Sequence, residues 1–272
     1  MARSSQLVAS STQHPSIQNR FITFVISDPI AAPRMDKPQD LKTAESEKIS
    51  HLDYFRIAIS IDCVIFGYDR KELKVLLIKS DFKEFSGLWS LLGDLVQPGE
   101  DLESASYRVL KERTGLDDVY LEQVYTFGSL NRHPSGRVIT TAYYSLVDVS
   151  SHRLKLTHNE LHWHKLNELK ELAFDHKLIL DTCVNRIREQ VMEKPVIFNL
   201  LPEKFSLRQL QELYEAILGV KLDRRNFRKK ISLKDWLEDL NEMETNVPHR
   251  PGKLYKAKIE FRRNRKKKKH GK

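Results

Sequence analysis

The chain has 272 residues, 40% of them apolar and 31% charged, with a net charge of +9, values typical of a globular protein with room for two cores. No run reaches the roughly 18 apolar residues that a bilayer crossing needs, and the apolar stretch Phe21–Ile26 is too short for an export leader, so neither membrane insertion nor secretion is expected. From Val196 onward 21 Lys and Arg face 10 Asp and Glu, which leaves the preceding residues slightly acidic; this asymmetry points to a polyanionic partner for the C-terminal part alone.

Residues 1–50 are rich in Ser, Pro, Gln and Asp without a sustained period, and a disordered extension is expected there. The folded part opens at Phe55–Phe66, where Ile57, Ile59, Ile61, Cys63 and Ile65 alternate as in a largely buried strand. Gly67-Tyr68-Asp69 reads as a turn and Leu73–Ile78 as a returning strand. Glu100–Arg113 has helical spacing at Leu102, Ala105, Val109 and Leu110, with Thr114-Gly115 as its stop. Strands are expected near Val138–Val147, after the turn Pro134-Ser135-Gly136, and at Leu161–Trp163. An amphipathic helix is expected at His176–Glu193, ended by Pro195. Alternating strands and helices make residues 52–194 an α/β layered domain. Cys63 and Cys183 lie in apolar runs without ligand spacing, which favours buried reduced thiols and a cytoplasmic location.

After a short linker, "PVIFNLLPEKF", the texture becomes helical and basic. Ser206 to Gln209 forms a capping-box start for a helix whose stripe is Leu207, Leu210, Leu213, Tyr214, Ile217 and Leu218, closed by Gly219. Asp223 caps a second helix in which Phe227 and Ile231 face inward, leaving Arg224, Arg225, Asn226, Arg228 and Lys229 outward. Arg208 sits on the first helix. Two helices with a short glycine-containing link make a helix-turn-helix. "KDWLEDLNEM" and "LYKAKIEF" then form a hairpin with Arg250 and Lys253 at its tip, a basic wing over residues 196–261 that completes a winged helix. Arginines and Asn226 suit base edges in the major groove and lysines suit phosphates, so double-stranded DNA is the expected partner. The like-charge tail 262–272 is expected to be unfolded by itself. An RNA- or membrane-binding adaptor built on that tail is the rival reading.

"DLVQPGEDLESASYRVLKERTGL", residues 94–116, resembles the Nudix box, G-x5-E-x7-R-E-U-x-E-E-x-G-U with U a bulky aliphatic. Aligning Gly115-Leu116 on its end places Glu100 and Arg108 on matching positions without a gap. "LWSLLGD" and "WHKLNELKELAFDH" resemble the flanking segments of that family. The resemblance implies an α/β/α sandwich and, in active members, Mg²⁺ or Mn²⁺ held by helical carboxylates that activate water against a nucleoside diphosphate derivative. In this chain those three positions are Val109, Glu112 and Arg113, and Asp94 replaces the box glycine. A permanent cation next to Glu112 opposes a divalent ion, so no metal, no cofactor and no catalytic residue are expected. An active hydrolase of ADP-ribose type is the alternative.

The segment "FNLLPEKFSLRQLQELYEAILGVKLDRRNFRKKI" also resembles the winged helix of Nudix-related transcriptional regulators, the sugar-responsive branch that includes arabinose-responsive repressors. That resemblance implies a homodimer on a two-fold DNA operator and a catalytically degenerate Nudix-like domain sensing a small-molecule effector, a sugar or nucleotide-sugar-like metabolite. By family position its pocket candidates are Trp89, Glu112, Arg132, Asp175 and His176.

Overall fold

The computed structural model describes residues 57–69, 72–117, 119–149 and 161–258. The N-terminal extension, the basic tail, and Ile259 and Phe261 of the last expected strand lie outside them. Among the described residues no helix is long and apolar enough to cross a membrane.

One mixed sheet organises the first part. Strand β1 (Ala58–Tyr68) pairs in parallel with β6 (Val138–Asp148) along its whole length, while β2 (Leu73–Lys79) and β4 (Leu92–Leu95) pair antiparallel with its two halves. Short β3 (Trp89–Ser90) and β7 (Leu161–Lys165) join β2, and β5 (Leu121–Phe127) borders β6. β1 runs through Gly67 and Tyr68, so the chain is still in the strand where a turn was expected. The strand pleat sends alternate residues to opposite faces: Ile61, Cys63 and Ile65 pack under α1 (Leu102–Thr114), while Val64, Phe66 and Tyr68 join the core under α2 (His176–Gln190). Both faces are covered, which makes an α/β/α sandwich and explains why β1 is buried without a break from Ile61 to Tyr68.

α1 is fixed at both ends. Asp101 accepts the Ser104 N–H at 2.7 Å, and Gly115 closes the helix at φ 76°, a conformation that suits glycine.

The segment expected to be a linker is not one. Pro195–Leu200 forms a 3-10 turn in which Val196, Ile197, Phe198 and Leu200 are buried, together with Leu201, in the cluster that holds Ile187 of α2 and Val191 just past its end. Apolar side chains in a short connection gain more by burial than by solvent exposure, so this stretch cements two cores into one.

Beyond it, the Ser206 capping box starts α3 (Leu207–Leu218), Gly219 ends it at φ 72°, and Asp223 caps α4 (Arg224–Ser232) by accepting the Asn226 N–H at 2.8 Å. Phe227 sets its ring 5.1 Å from that of Tyr214. β8 (Phe205–Ser206), β10 (Lys253–Ala257) and β9 (Leu237–Met243) close a three-stranded sheet whose last two strands form the wing. A bulge interrupts their register, with Asn241 held at φ 54°.

Candidate functional site: an effector cavity and a nucleic-acid face

A cavity of about 500 Å³ opens beside β1, β2 and β4; its lining includes Asp62, Lys79, Phe82, Arg113, Arg132, His133, Arg137, Phe174 and His176. Its floor is a buried polar network. Asp62, 5% exposed, projects from β1 toward α2, accepts the Thr140 hydroxyl at 2.7 Å, and has His176 Nε2 at 3.5 Å and Arg132 Nη2 at 3.6 Å. Gly93 makes room for it: a Cβ there would lie 2.4 Å from Asp62 Oδ1 and 2.9 Å from the Ile61 carbonyl.

His176 opens α2. Its Nδ1 accepts the Leu91 N–H at 3.0 Å, which places the ring proton of the neutral form on Nε2, toward Asp62. Burial is the main force lowering its pKa, against the opposing pull of Asp62 and Asp175, so the ring is neutral at pH 7. Asp175 stands at the helix N-cap without capping it. Its carboxylate instead receives the Arg132 fork, Nε at 2.9 Å and Nη2 at 2.7 Å.

The upper wall is aromatic. His133 stacks on Phe174 with centroids 4.9 Å apart and 8° between planes, and Phe82 stands edge-on to both. Phe174 is held at φ 54°, a conformation that costs a bulky L residue about 1 kcal/mol or more.

Of the expected pocket residues, Arg132 and His176 line this cavity and Asp175 holds Arg132 in place. Trp89 does not line it. Its ring packs against His164, 4.3 Å between centroids, beneath Lys79 Nζ at 4.2 Å. Glu112 does not line it either: its side chain is 56% exposed and accepts from Arg108 Nη1 at 3.2 Å. The guanidinium bonded to Glu112 is that of Arg108, one turn earlier on α1. Sequence reasoning missed Asp62, hidden in an apolar strand, and the aromatic wall, whose members are scattered along three loops.

The carboxylates of the Nudix box do not fit a divalent ion. Arg108 gathers them: Glu100 accepts from its Nε at 3.0 Å and its Nη2 at 2.7 Å, while Asp94 accepts from its Nη1 at 3.3 Å, as Glu112 does. Asp94 stays an ordinary strand residue opposite Ile61, with none of the positive φ that the box glycine would permit. Val109, 1% exposed, belongs to the core under α1, and Arg113 is among the residues that line the cavity.

On the second domain, the expected cations of α4 are all exposed, with Lys230 as a further one. At about 100° per residue, Arg225, Asn226 and Lys229 lie opposite the buried Phe227 and Ile231, with Arg224 and Arg228 flanking. Arg208 sits on α3, 3.7 Å from Glu212, and Arg250 is exposed at the wing tip. Lys253 is tied to Asp239 at 2.8 Å and Lys204 to Glu242 at 2.7 Å. Acidic β9 therefore neutralises the sides of the wing and leaves the positive face to α4.

Comparison with known proteins agrees with this layout. The NUDIX domain model matches residues 56–183, and the model of the NrtR DNA-binding winged helix domain matches residues 197–257. The ADPR responsive transcriptional repressor NtrR of Acinetobacter baylyi is 31% identical over 213 residues, 76% of this chain and 85% of that protein. The chain belongs to the family of Nudix transcriptional regulators with an NrtR-type winged helix. The NrtR-type regulator of Shewanella oneidensis, solved with a 27mer DNA, aligns with a TM-score of 0.66 at 30% identity over 74% of this chain and 93% of its own. An ADP-ribose pyrophosphatase of Methanocaldococcus jannaschii is 35% identical over 129 residues, 47% of this chain and 73% of that enzyme. As a member of this family the chain is a DNA-binding transcription regulator.

Proposed function

We propose that this regulator binds ADP-ribose in the cavity of its Nudix domain, acts as a cytoplasmic homodimer on a two-fold operator, and loses operator affinity when the effector binds. Two relatives carry ADP-ribose in their names, which narrows the expected sugar or nucleotide-sugar-like metabolite. The cavity suits that molecule: aromatic rings of Phe82, Phe174 and His133 for a base, cations for a diphosphate, and buried acceptors at Asp62 for ribose hydroxyls. In the recognition helix, Arg225 and Asn226 meet base edges, with Arg224, Arg228 and Lys229 beside them, while Arg208, Arg250 and Lys253 approach the backbone.

The observation that carries the proposal is the placement of α2. Its first residue, His176, lines the cavity, and Asp175 just before it holds Arg132. Near its other end Ile187 and Val191 share a core with Leu213 and Tyr214 of α3, and Arg188 Nε donates to the Ile217 carbonyl at 2.9 Å. Fifteen residues of helix span about 22 Å. A ligand that shifts the first turn of α2 thereby moves the seat of the DNA-binding domain. Such coupling requires only that the ligand prefer one arrangement, typically by about 1–3 kcal/mol.

The test is a thermal-shift and calorimetric comparison of ADP-ribose with L-arabinose. ADP-ribose is expected to raise the melting temperature in proportion to its occupancy and arabinose is not. No shift with millimolar ADP-ribose would defeat the proposal. The likeness to an ADP-ribose pyrophosphatase favours a second reading, hydrolysis; the box carboxylates held by Arg108 argue against it. The protein with Mg²⁺ or Mn²⁺ is expected to release no AMP from ADP-ribose.

A further inference from the structure

We infer that Arg113 takes the place of a divalent cation in this domain: its guanidinium contacts the effector's diphosphate, and the site binds a nucleoside diphosphate sugar without metal. The inference rests on reading the cavity as the ADP-ribose site.

Several cations line the cavity, and most are already engaged. Arg132 is forked onto Asp175, Arg137 donates to the Gly128 carbonyl, and Lys79 lies over Trp89 and donates to the Gly87 carbonyl. Arg113 is half-buried, lines the same cavity, and has no hydrogen-bond or ion-pair partner among the described residues. A guanidinium withdrawn from water without a counter-charge is costly, and it cannot shed its proton to escape the cost. A ligand anion supplies the missing partner, and the planar fork of an arginine matches phosphate oxygens.

The same position argues against a metal ion. A divalent cation beside Arg113 would meet a like charge. Val109 offers it no donor, and Asp94, Glu100 and Glu112 would have to leave Arg108. One arginine on the last turn of α1 supplies positive charge that needs no carboxylate cage. It also generates no metal-activated water, so the diphosphate is recognised without being attacked.

The test is calorimetry of the full chain with ADP-ribose, first in EDTA and then in millimolar Mg²⁺. The dissociation constant is expected to agree within about twofold between the two conditions. Arg113→Gln should weaken binding at least about tenfold, the scale of one charge-assisted contact, while Arg113→Lys, which keeps the charge, falls between Gln and wild type. Because Arg113 has no partner among the described residues, neither variant should lower the melting temperature of the ligand-free protein by more than a few degrees. Binding that needs Mg²⁺, or an Arg113→Gln protein that binds as tightly as wild type, would overturn the inference and leave the ADP-ribose assignment standing. A wild-type protein that binds ADP-ribose in neither condition would instead sink the assignment itself.

Discussion

Arg132→Met probes the polar floor of the cavity. The Arg132 side chain is 3% exposed and forks onto Asp175, with Asp62 3.6 Å away. Methionine keeps the bulk of the side chain while removing the charge, and it takes the shared cation from two carboxylates, Asp62 and Asp175. Breaking a buried pair from one side costs about 3–5 kcal/mol. Asp175 is 20% exposed and recovers some hydration, so the low end of that range, about 3 kcal/mol, is expected. Asp175→Asn keeps an acceptor and leaves Arg132 its Asp62 neighbour, and should cost about 1–2 kcal/mol. The double variant should be more stable than the sum of the two losses by about 1 kcal/mol or more, since both substitutions remove the same interaction. Urea unfolding followed by tryptophan fluorescence measures all three. A single transition is expected because the two domains share a core. An Arg132→Met loss under about 1 kcal/mol, or strict additivity, would refute the network as drawn.

Gly93→Ala forces a Cβ to within 2.9 Å of the Ile61 carbonyl as well as onto Asp62, and overpacking against backbone should cost about 1–3 kcal/mol in the same assay; an unchanged midpoint would show that β1 and β4 are not so closely apposed. His176 has its pKa lowered by burial from the ordinary 6.5, so below that pH the unfolded chain binds a proton that the folded chain refuses. Stability is then intact above pH 6.5 and falls as the pH drops toward the depressed folded value, by up to about 1.4 kcal/mol per pH unit for one proton. His133 and His164 are shifted the same way, so His176→Gln should reduce the slope without abolishing it, and an unaltered slope would deny His176 its share. Arg225→Ala with Arg228→Ala should weaken operator binding and lower its salt slope by about one unit per lost phosphate contact; deleting residues 262–272 should flatten the salt slope but keep sequence preference. If that deletion abolished all binding, the adaptor reading built on the tail would take over.

Much of the fold was legible because local signals agreed with tertiary need. The period-2 run of β1, the stop at Gly115 and the caps at Ser206 and Asp223 each encode their element locally. β5 was not foreseen: its pairing slips at Gln123 and Tyr125, and a bulge destroys the alternation by which a strand is recognised. The 195–201 segment read as a linker because chain length and position say nothing of what lies above it. Among the site residues, Arg132, Asp175 and His176 came from family position and converge. Trp89 and Glu112 came from the same source, yet the first packs on His164 and the second is held outside the cavity by Arg108. Asp62 could have been noticed as an acid in the middle of the apolar strand β1, an arrangement that burial tolerates only with partners.

Effector binding at one end of α2 should be felt by the DNA-binding domain at the other. Fluorescence anisotropy of an operator duplex, selected by the protein from a random pool, measures this directly when repeated with and without saturating ADP-ribose. Operator affinity is expected to weaken by about 5- to 150-fold. Operator affinity that stays the same while calorimetry shows the cavity filled would contradict it.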